Sequence, residues 1–268
     1  MTAFNDFLMN FVVNAFWQVA LVTAVASSGS WMLLRRVSAR RRYFVWVMAL
    51  FLSVALPLWS ALPLERKPLK TSIFPTPATV LNVGELSKPG SIPGQPQRPD
   101  KISLWRQIPF GQIFVGVYLL FLLYRIRVLW CAWRLTLAIR QGAFPAGASE
   151  TLQSVLAHCR TTLGVGVVAL LRSPSVAVPV TMGLRRPVII LPERLLSETA
   201  TDLLSAALGH ELAHVKRGDY AWNLIYELLF LPISFHPAAA LVKRRISETR
   251  ELACDEVVSE QLLDAHVY

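Results

Sequence analysis

The sequence predicts a mainly α-helical membrane protein with three transmembrane helices and a folded α+β domain attached to them. Three observations predict this class. Of the 268 residues, 54% are hydrophobic and only 16% are charged, whereas soluble domains carry about 25% charged residues. Three long segments are nearly free of charge, and residues 141–218 have the mixed texture of a soluble domain. The composition therefore excludes a single water-soluble globule.

The net charge of +10 comes from 27 Lys and Arg against 17 Asp and Glu. These basic residues lie beside apolar segments, where they determine membrane topology, so we expect the bilayer as a partner and no direct binding of nucleic acid. The three cysteines are widely separated and include no CxxC pair. They therefore predict neither a disulfide framework nor a cysteine metal pair.

Residues 1–64 are predicted to form two transmembrane helices. Phe7 to Leu34 and Tyr43 to Leu64 contain no formal charge, and about 20 residues suffice to cross a bilayer as a helix. A short loop between them contains five arginines, which favours the cytoplasmic side and an outward N-terminus. These arginines are Arg35, Arg36, Arg40, Arg41 and Arg42.

Residues 65–104 are rich in Pro, Ser, Thr and Gly, which is typical of an extended linker, here external. Residues 105–134 contain the third apolar run, from Ile108 to Tyr124, followed by arginines and tryptophans typical of the cytoplasmic interface. Residues 135–268 should therefore form a cytoplasmic domain on the inner face of a bacterial cell membrane.

The pattern of apolar and polar residues in this last domain predicts a small α+β layer followed by one long helix. Ser149 to Leu163 has helical spacing, and Ser197 to Arg217 reads as a helix capped by Ser197 or Thr199 and ended by Gly218. Three short apolar runs are typical of strands. They are Val165 to Leu171, Val176 to Val180 and Val188 to Leu191.

The long helix contains an HExxH motif, from His210 to His214. Histidines four residues apart lie on one helix face and can bind one zinc ion, and the intervening Glu211 is placed to take a proton from a water molecule. The alternative is two buried histidines that only form hydrogen bonds. The pattern favours a catalytic Zn²⁺ site with His210 and His214 as ligands and Glu211 as general base.

A second motif, Glu251 to Asp255, lies in a helical stretch from Ser247 to Leu263. One carboxylate four residues from another could complete a two-His-one-Glu site, while the other holds a ligand histidine through a hydrogen bond. The alternative is an ordinary solvated face. Cys254 is a less favoured ligand, because it would compete with Glu251 for the same metal.

Hydropathy alone suggests a further transmembrane helix over Tyr220 to Leu241. That helix would place Glu251 about 30 Å from the two histidines, across the bilayer. Pro232 and Pro237 favour a re-entrant or interfacial hairpin instead, since 12 residues of helix reach only about 18 Å. We expect Glu227 and His236 within this hairpin to be packing groups, with a catalytic role for His236 as the alternative.

Five motifs together resemble the BlaR/MecR-type membrane zinc metallopeptidases, in the same order along the chain. The resemblance covers the layout of the whole chain and, in motif detail, residues 176–262. The motifs are Pro179 to Gly183, Arg186 to Pro192, His210 to Asp219, Phe235 to Pro237 and Arg250 to Asp255.

The resemblance implies a gluzincin-like cytoplasmic protease domain that, after an external signal, cleaves the receptor itself or a transcriptional repressor. By matching positions, it implies His210, His214 and Glu251 as zinc ligands and Glu211 as general base. Asp255 would orient a ligand histidine from outside the metal's own shell.

Members of this family normally continue past the second motif helix into another membrane span, so the resemblance predicts a chain truncated at Tyr268. None of the serines is followed by lysine three residues later. The SxxK nucleophile of a penicillin-binding sensor is therefore missing from this sequence, and nothing in it favours recognition of a β-lactam.

Two other functions remain open on the sequence. A housekeeping membrane protease of the HtpX or Ste24 type would use the same two motifs, and a non-catalytic receptor or scaffold would use zinc only to join two helices. A site-two-type intramembrane protease is less favoured. If the chain is a protease, a strand such as Val188 to Leu191 could hold an extended substrate by edge pairing.

Overall fold

The structure, a computed structural model, describes residues 2–32, 37–62, 110–147, 149–197 and 201–263. Several sequence-based expectations lie outside these residues: the linker at 65–104, the loop residues Arg35 and Arg36, the cap Thr199 and the chain end at Tyr268. The described ranges contain eight α-helices and four short strands. The helices are α1 (Thr2–Met32), α2 (Ala39–Ala61), α3 (Phe110–Gln141), α4 (Glu150–Leu163), α5 (Glu193–Ser197), α6 (Thr201–Arg217), α7 (Asp219–Phe230) and α8 (Pro237–Val258).

Three of these helices are long and apolar enough to cross a membrane: Ala3–Met32, Ala39–Ala61 and Phe110–Gln141. This agrees with the three predicted spans and makes the chain a membrane protein. The third helix is longer than residues 105–134 suggested, because the arginines after Tyr124 do not end it. Arginine is a good helix former, so a charged segment can continue an apolar helix beyond the bilayer.

The segment after the HExxH helix is bent, as its prolines predict. Helix α7 ends at Phe230, a 3-10 turn covers Leu231–Ile233, and α8 begins at Pro237. The chain thereby reverses direction, and Lys243 of α8 forms an ion pair of 2.5 Å with Glu227 of α7. Glu227 is thus a packing group of the hairpin, in agreement with the sequence-based expectation.

The tip of this hairpin reaches the middle of the first span. His236 donates from Nε2 to the carbonyl oxygen of Phe16 over 2.9 Å, and its Nδ1 accepts from the backbone N–H of Ala238 at 3.1 Å. Tyr118 of α3 donates its hydroxyl to the carbonyl of Pro232 at 3.0 Å. His236 thus caps α8 and anchors the tip, contacts of the kind expected of a packing group.

Helix α8 then returns to the end of the bundle where α1 and α2 are joined. At that end Glu256 accepts a hydrogen bond from the first backbone N–H of α2, that of Ala39, over 3.1 Å. The hairpin and the spans share one hydrophobic core, which includes Val19, Leu50, Tyr226, Ile233 and Val242. The second half of α8 therefore lies on the same side as the arginine-rich loop.

The four strands form one sheet in the order β1-β2-β4-β3. Strand β4 runs parallel to β2 and antiparallel to β3. The strands are β1 (Phe144–Pro145), β2 (Ala169–Ser173), β3 (Val180–Met182) and β4 (Val188–Pro192).

The sheet order corrects two expectations from the sequence. Strand β4 is interior, with both edges already paired, so Val188 to Leu191 cannot hold a substrate by edge pairing; β3 provides the edge instead. The strand expected at Val176 to Val180 begins only at Val180. Apolar content alone misplaced it, because strand pairing with β4 decides which residues of the run are extended.

Ser197, the predicted start of the HExxH helix, is instead the last residue of α5. The helix predicted from Ser197 to Arg217 is α6, which begins at Thr201 in the described part of the chain. It ends at Arg217, where Gly218 adopts a left-handed conformation with φ of 67°, as predicted. One face of α6 packs on α4 and on the sheet through Leu204, Leu208 and Leu212, which are buried. This packing leaves the histidine face of α6 free to meet α8.

Candidate metal centre

Helix α6 places two imidazoles side by side because their positions are four residues apart. The Nε2 atoms of His210 and His214 lie 3.2 Å from each other, and their rings meet edge to face with centroids 4.8 Å apart. Both rings are partly exposed, with side-chain exposures of 30% and 14%. Their Nε2 atoms therefore point to one common position.

Helix α8 brings Glu251 to the same position from 37 residues further along the chain. Its Oε2 atom lies 3.4 Å from Nε2 of His210 and 3.4 Å from Nε2 of His214. An ion with bonds of about 2.0–2.1 Å in tetrahedral geometry holds its ligands about 3.3–3.4 Å apart. The three atoms thus fit one triangular face of a tetrahedron, and the donor set suits a metal ion.

The far nitrogen of each imidazole contacts a carboxylate. Nδ1 of His210 lies 3.0 Å from Oδ1 of Asp255, and Nδ1 of His214 lies 2.7 Å from Oδ2 of Asp219. Nδ1 donates in both contacts, which leaves Nε2 of each ring free to bind an ion. Asp255 was expected from its spacing to Glu251, whereas the contact of Asp219 was not.

Ionic contacts shift the protonation of all three candidate ligands. Hydrogen bonding to Glu251 raises the pKa of His210. Burial would lower the pKa of His214, but hydrogen bonds with Asp219, Cys254 and Glu251 raise it. The histidines in turn hold the pKa of Glu251 well below its usual range. The surplus of carboxylates makes the cluster favourable for a cation.

Glu211 lines the same cavity as the three clustered residues and contacts the sheet edge. It is 8% exposed, and its Oε2 accepts a hydrogen bond of 2.6 Å from the hydroxyl of Thr181. Thr181 belongs to β3, so the edge strand fixes the carboxylate of Glu211. This contact was not expected from the sequence, because the two residues are 30 positions apart.

Arg250 orients the carboxylate of Glu251. Its Nη2 and Nε atoms donate to Oε1 of Glu251 at 3.1 and 3.3 Å, while Nη1 donates to Oδ1 of Asn223 at 3.3 Å. Arg250 thereby holds one oxygen of Glu251 and is itself held by Asn223 of α7. The other oxygen faces the histidines.

Cys254 lies behind His214. Its Sγ atom is 3.3 Å from Nδ1 of His214 and 3.5 Å from Oδ2 of Asp219, and burial raises the pKa of the thiol. Arg217 adds a contact of 3.3 Å to the other oxygen of Asp219. The side chains of His214, Asp219 and Cys254 could also hold an ion. However, Nδ1 of His214 already donates to Oδ2 of Asp219 over 2.7 Å and is satisfied by that hydrogen bond.

The clustered residues open into a cavity of about 550 Å³. Its walls come from β3, α6, α7 and α8, and they include Thr181, Glu211, Tyr220 and Asn223 besides the clustered residues. A pocket of this size beside an edge strand is large enough to hold several residues of an extended peptide.

Comparison with known proteins agrees with the sequence motifs. Regulatory protein BlaR1 of Bacillus licheniformis is 36% identical over 95 residues, which correspond to 35% of this chain and 16% of that protein. The chain thus matches about a sixth of the length of this relative. The family model described as BlaR1 peptidase M56 matches residues 7–266. Because this match runs from the first span to beyond α8, the chain belongs to the BlaR1 peptidase M56 family.

Proposed function

We propose that the protein is a membrane-embedded zinc metalloendopeptidase that acts in signal transduction. The observation that carries the proposal is the triangle of His210, His214 and Glu251, whose atoms lie 3.2–3.4 Å apart. Zinc accepts nitrogen and oxygen ligands at about 2.0–2.2 Å, and catalytic zinc sites use three protein ligands. Membership of a peptidase family supports the same reaction.

The residues around this triangle have distinct tasks. Zinc, when bound, would act as a Lewis acid and lower the pKa of a water molecule toward 7. Glu211 accepts the proton of the attacking water and returns it to the leaving amine, and Thr181 holds its carboxylate through the 2.6 Å hydrogen bond. Asp255 and Asp219 keep the imidazoles in the tautomer that presents Nε2.

The substrate is a peptide bound in extended form beside β3. Among the strands that the structure describes, β3 pairs on one side only, with β4, and it lies against the cavity that contains Glu211. Backbone hydrogen bonds at a sheet edge bind a peptide with little dependence on its sequence, while the cavity selects side chains. The peptide belongs either to this protein itself or to a cytoplasmic transcriptional repressor.

Glu211→Gln tests the proposed reaction. The amide cannot accept the proton, so cleavage should fall by about 10²–10⁴-fold, while zinc content stays unchanged because Glu211 is not a ligand. Cleavage of a candidate repressor and of the chain itself is measured alongside metal content. Glu260→Gln, an exposed glutamate in the last turn, is the matched control; full activity of the Glu211→Gln variant contradicts the proposal.

A purely structural metal site is the competing function, and the cluster of His214 with the buried Asp219 and Cys254 is the observation that favours it. Structural zinc sites usually contain cysteine and fill all four positions with protein ligands. Cobalt substitution separates the two: thiolate ligation produces intense sulfur-to-cobalt charge-transfer absorption. We expect no such absorption, and Cys254→Ser should retain the metal.

A further inference from the structure

A second cavity, of about 250 Å³, lies between α1, α2 and α8, apart from the candidate metal centre. Its lining includes two tryptophans, Trp31 and Trp46, and two arginines, Arg42 and Arg245. Nothing in the proposed peptidase reaction uses these residues.

The cavity lies at the ends of two membrane spans. Trp31 is the penultimate residue of α1, and Arg42 is in the first turn of α2. Trp31 is 63% exposed, whereas Trp46 is buried at 3%. Tryptophans at the ends of spans are typical of the depth at which lipid headgroups lie. The cavity is therefore positioned at the headgroup layer.

The charge of the cavity is positive. Glu248 is shared by two guanidinium groups, from Arg244 at 2.7 Å and from Arg245 at 2.9 Å. Arg42 also lines the cavity, and its buried Nε has no hydrogen-bond partner among the residues that the structure describes. Arg244 lies outside the lining, so Arg42 and Arg245 against Glu248 leave the cavity with a net charge of +1. A buried donor without an acceptor is unfavourable and marks a position where a ligand acceptor would be stabilised.

We propose that this cavity binds the phosphate group of an anionic glycerophospholipid. Guanidinium groups match phosphate geometry through paired N–H donors, and basic pockets between spans bind anionic headgroups. A membrane lipid fits better than free phosphate, because the exposed face of Trp31 lies beside the opening and offers an apolar surface to the acyl chains. The proposal does not depend on the peptidase reaction.

The cavity is also connected to the candidate metal centre through one helix. Arg245 and Glu251 are six residues apart on α8, so a bound headgroup would help to hold the segment of α8 that carries Glu251. The bilayer thereby becomes a binding partner with a defined site, in addition to being the solvent of the spans.

The experiment uses the full chain in nanodiscs of equal parts phosphatidylglycerol and phosphatidylcholine, with native mass spectrometry to count retained lipids. We expect retention of phosphatidylglycerol over phosphatidylcholine. Arg42→Gln should lower that preference about fivefold, the usual contribution of one arginine to anionic lipid binding. Arg40→Gln is the matched control, since Arg40 is exposed on the same turn and does not line the cavity.

Arg245→Gln is the second variant and should also lower the preference for phosphatidylglycerol over phosphatidylcholine. It tests the lipid site if circular dichroism shows that Arg42→Gln fails to fold. Excess inorganic phosphate should leave the retained lipid unchanged. Displacement by phosphate would show a site for free anions and overturn the lipid proposal. Equal retention of both lipids, or equal losses in the Arg40 and Arg42 variants, would overturn it as well.

Discussion

Each imidazole of the candidate metal centre is held from behind by a carboxylate, Asp255 for His210 and Asp219 for His214. Asp255 follows from helical spacing, because it lies one turn beyond Glu251. Helical spacing could not predict the contact of Asp219 with His214, because the two residues lie on different helices. Asp219 lies five residues after His214, and only the left-handed Gly218 between α6 and α7 turns it back toward the imidazole. A glycine that ends a motif helix is the sequence feature that could have indicated it.

Asp219→Ala should weaken zinc binding roughly 10–100-fold. The reason is that His214 loses the hydrogen bond that fixes its tautomer, and Arg217 loses its partner. Competition with a colour-changing chelator measures the affinity in the purified chain. Asp219→Asn should recover part of the loss, because an amide oxygen still accepts from Nδ1.

Asp202→Ala serves as the control for that measurement, since Asp202 is exposed in the first turn of α6. Its zinc affinity should match that of the unsubstituted chain. If Asp219→Ala left the zinc affinity unchanged, His214 would not need the hydrogen bond to its Nδ1. That result would contradict the assignment of Asp219 as a positioning residue.

At the scale of elements, strand β3 depends on one glycine. Gly183 follows β3 with φ of 108°, a conformation that residues with a Cβ rarely adopt. A Cβ there would also collide with the backbone carbonyl oxygen of Arg186. The turn from β3 to β4 therefore requires glycine, and through Thr181 it determines where Glu211 is held.

Gly183→Ala should destabilise the domain by about 1–3 kcal/mol, the usual magnitude for a strained backbone. It should also lower cleavage, because a displaced β3 no longer supports Glu211. Thermal unfolding and cleavage are measured together in detergent. Gly166→Ala is the control, since a Cβ at Gly166 meets nothing within 4 Å; equal effects in both variants would refute the role of the turn.

The hairpin tip allows a second test at this scale. His236→Ala removes the cap of α8 and the contact with Phe16, and should cost about 1–2 kcal/mol of stability. Zinc content and the cleavage rate of the folded fraction should remain unchanged, because His236 lies at the opposite end of α8 from Glu251. His236→Asn retains a capping side chain and should recover part of the stability. Lost cleavage in a fully folded variant would instead indicate a catalytic histidine.

At the scale of the whole molecule, the hairpin explains how a hydrophobic segment can lie between two halves of one metal site. Helix α7 enters the bundle beside α2, the tip contacts α1 and α3, and α8 leads back to Glu251. The site therefore lies at the bundle end where α1 and α2 are joined by the arginine-rich loop. Since arginine-rich loops remain in the cytoplasm, we propose a cytoplasmic active site.

Labelling of single cysteines in intact cells tests this orientation. A background with Cys131→Ser removes the exposed native thiol. Glu150→Cys, exposed on α4, should be protected from a membrane-impermeant thiol reagent until the cells are opened. Ser91→Cys, in the expected external linker, should react at once. The reverse pattern would place the peptidase domain outside the cell.

The sequence by itself determined the features that depend on neighbours along one helix: the three uncharged spans, the paired histidines and the paired carboxylates of α8. It also required a bend near Pro232, because a metal site cannot have its ligands on two sides of a bilayer. Only the tertiary structure decided the sheet order, the contact of Thr181 with Glu211 and the place of Asp219. These contacts join residues of separate helices and strands that come together only through tertiary packing. The spacing of residues along the chain reports neighbours within one element and therefore cannot predict such contacts.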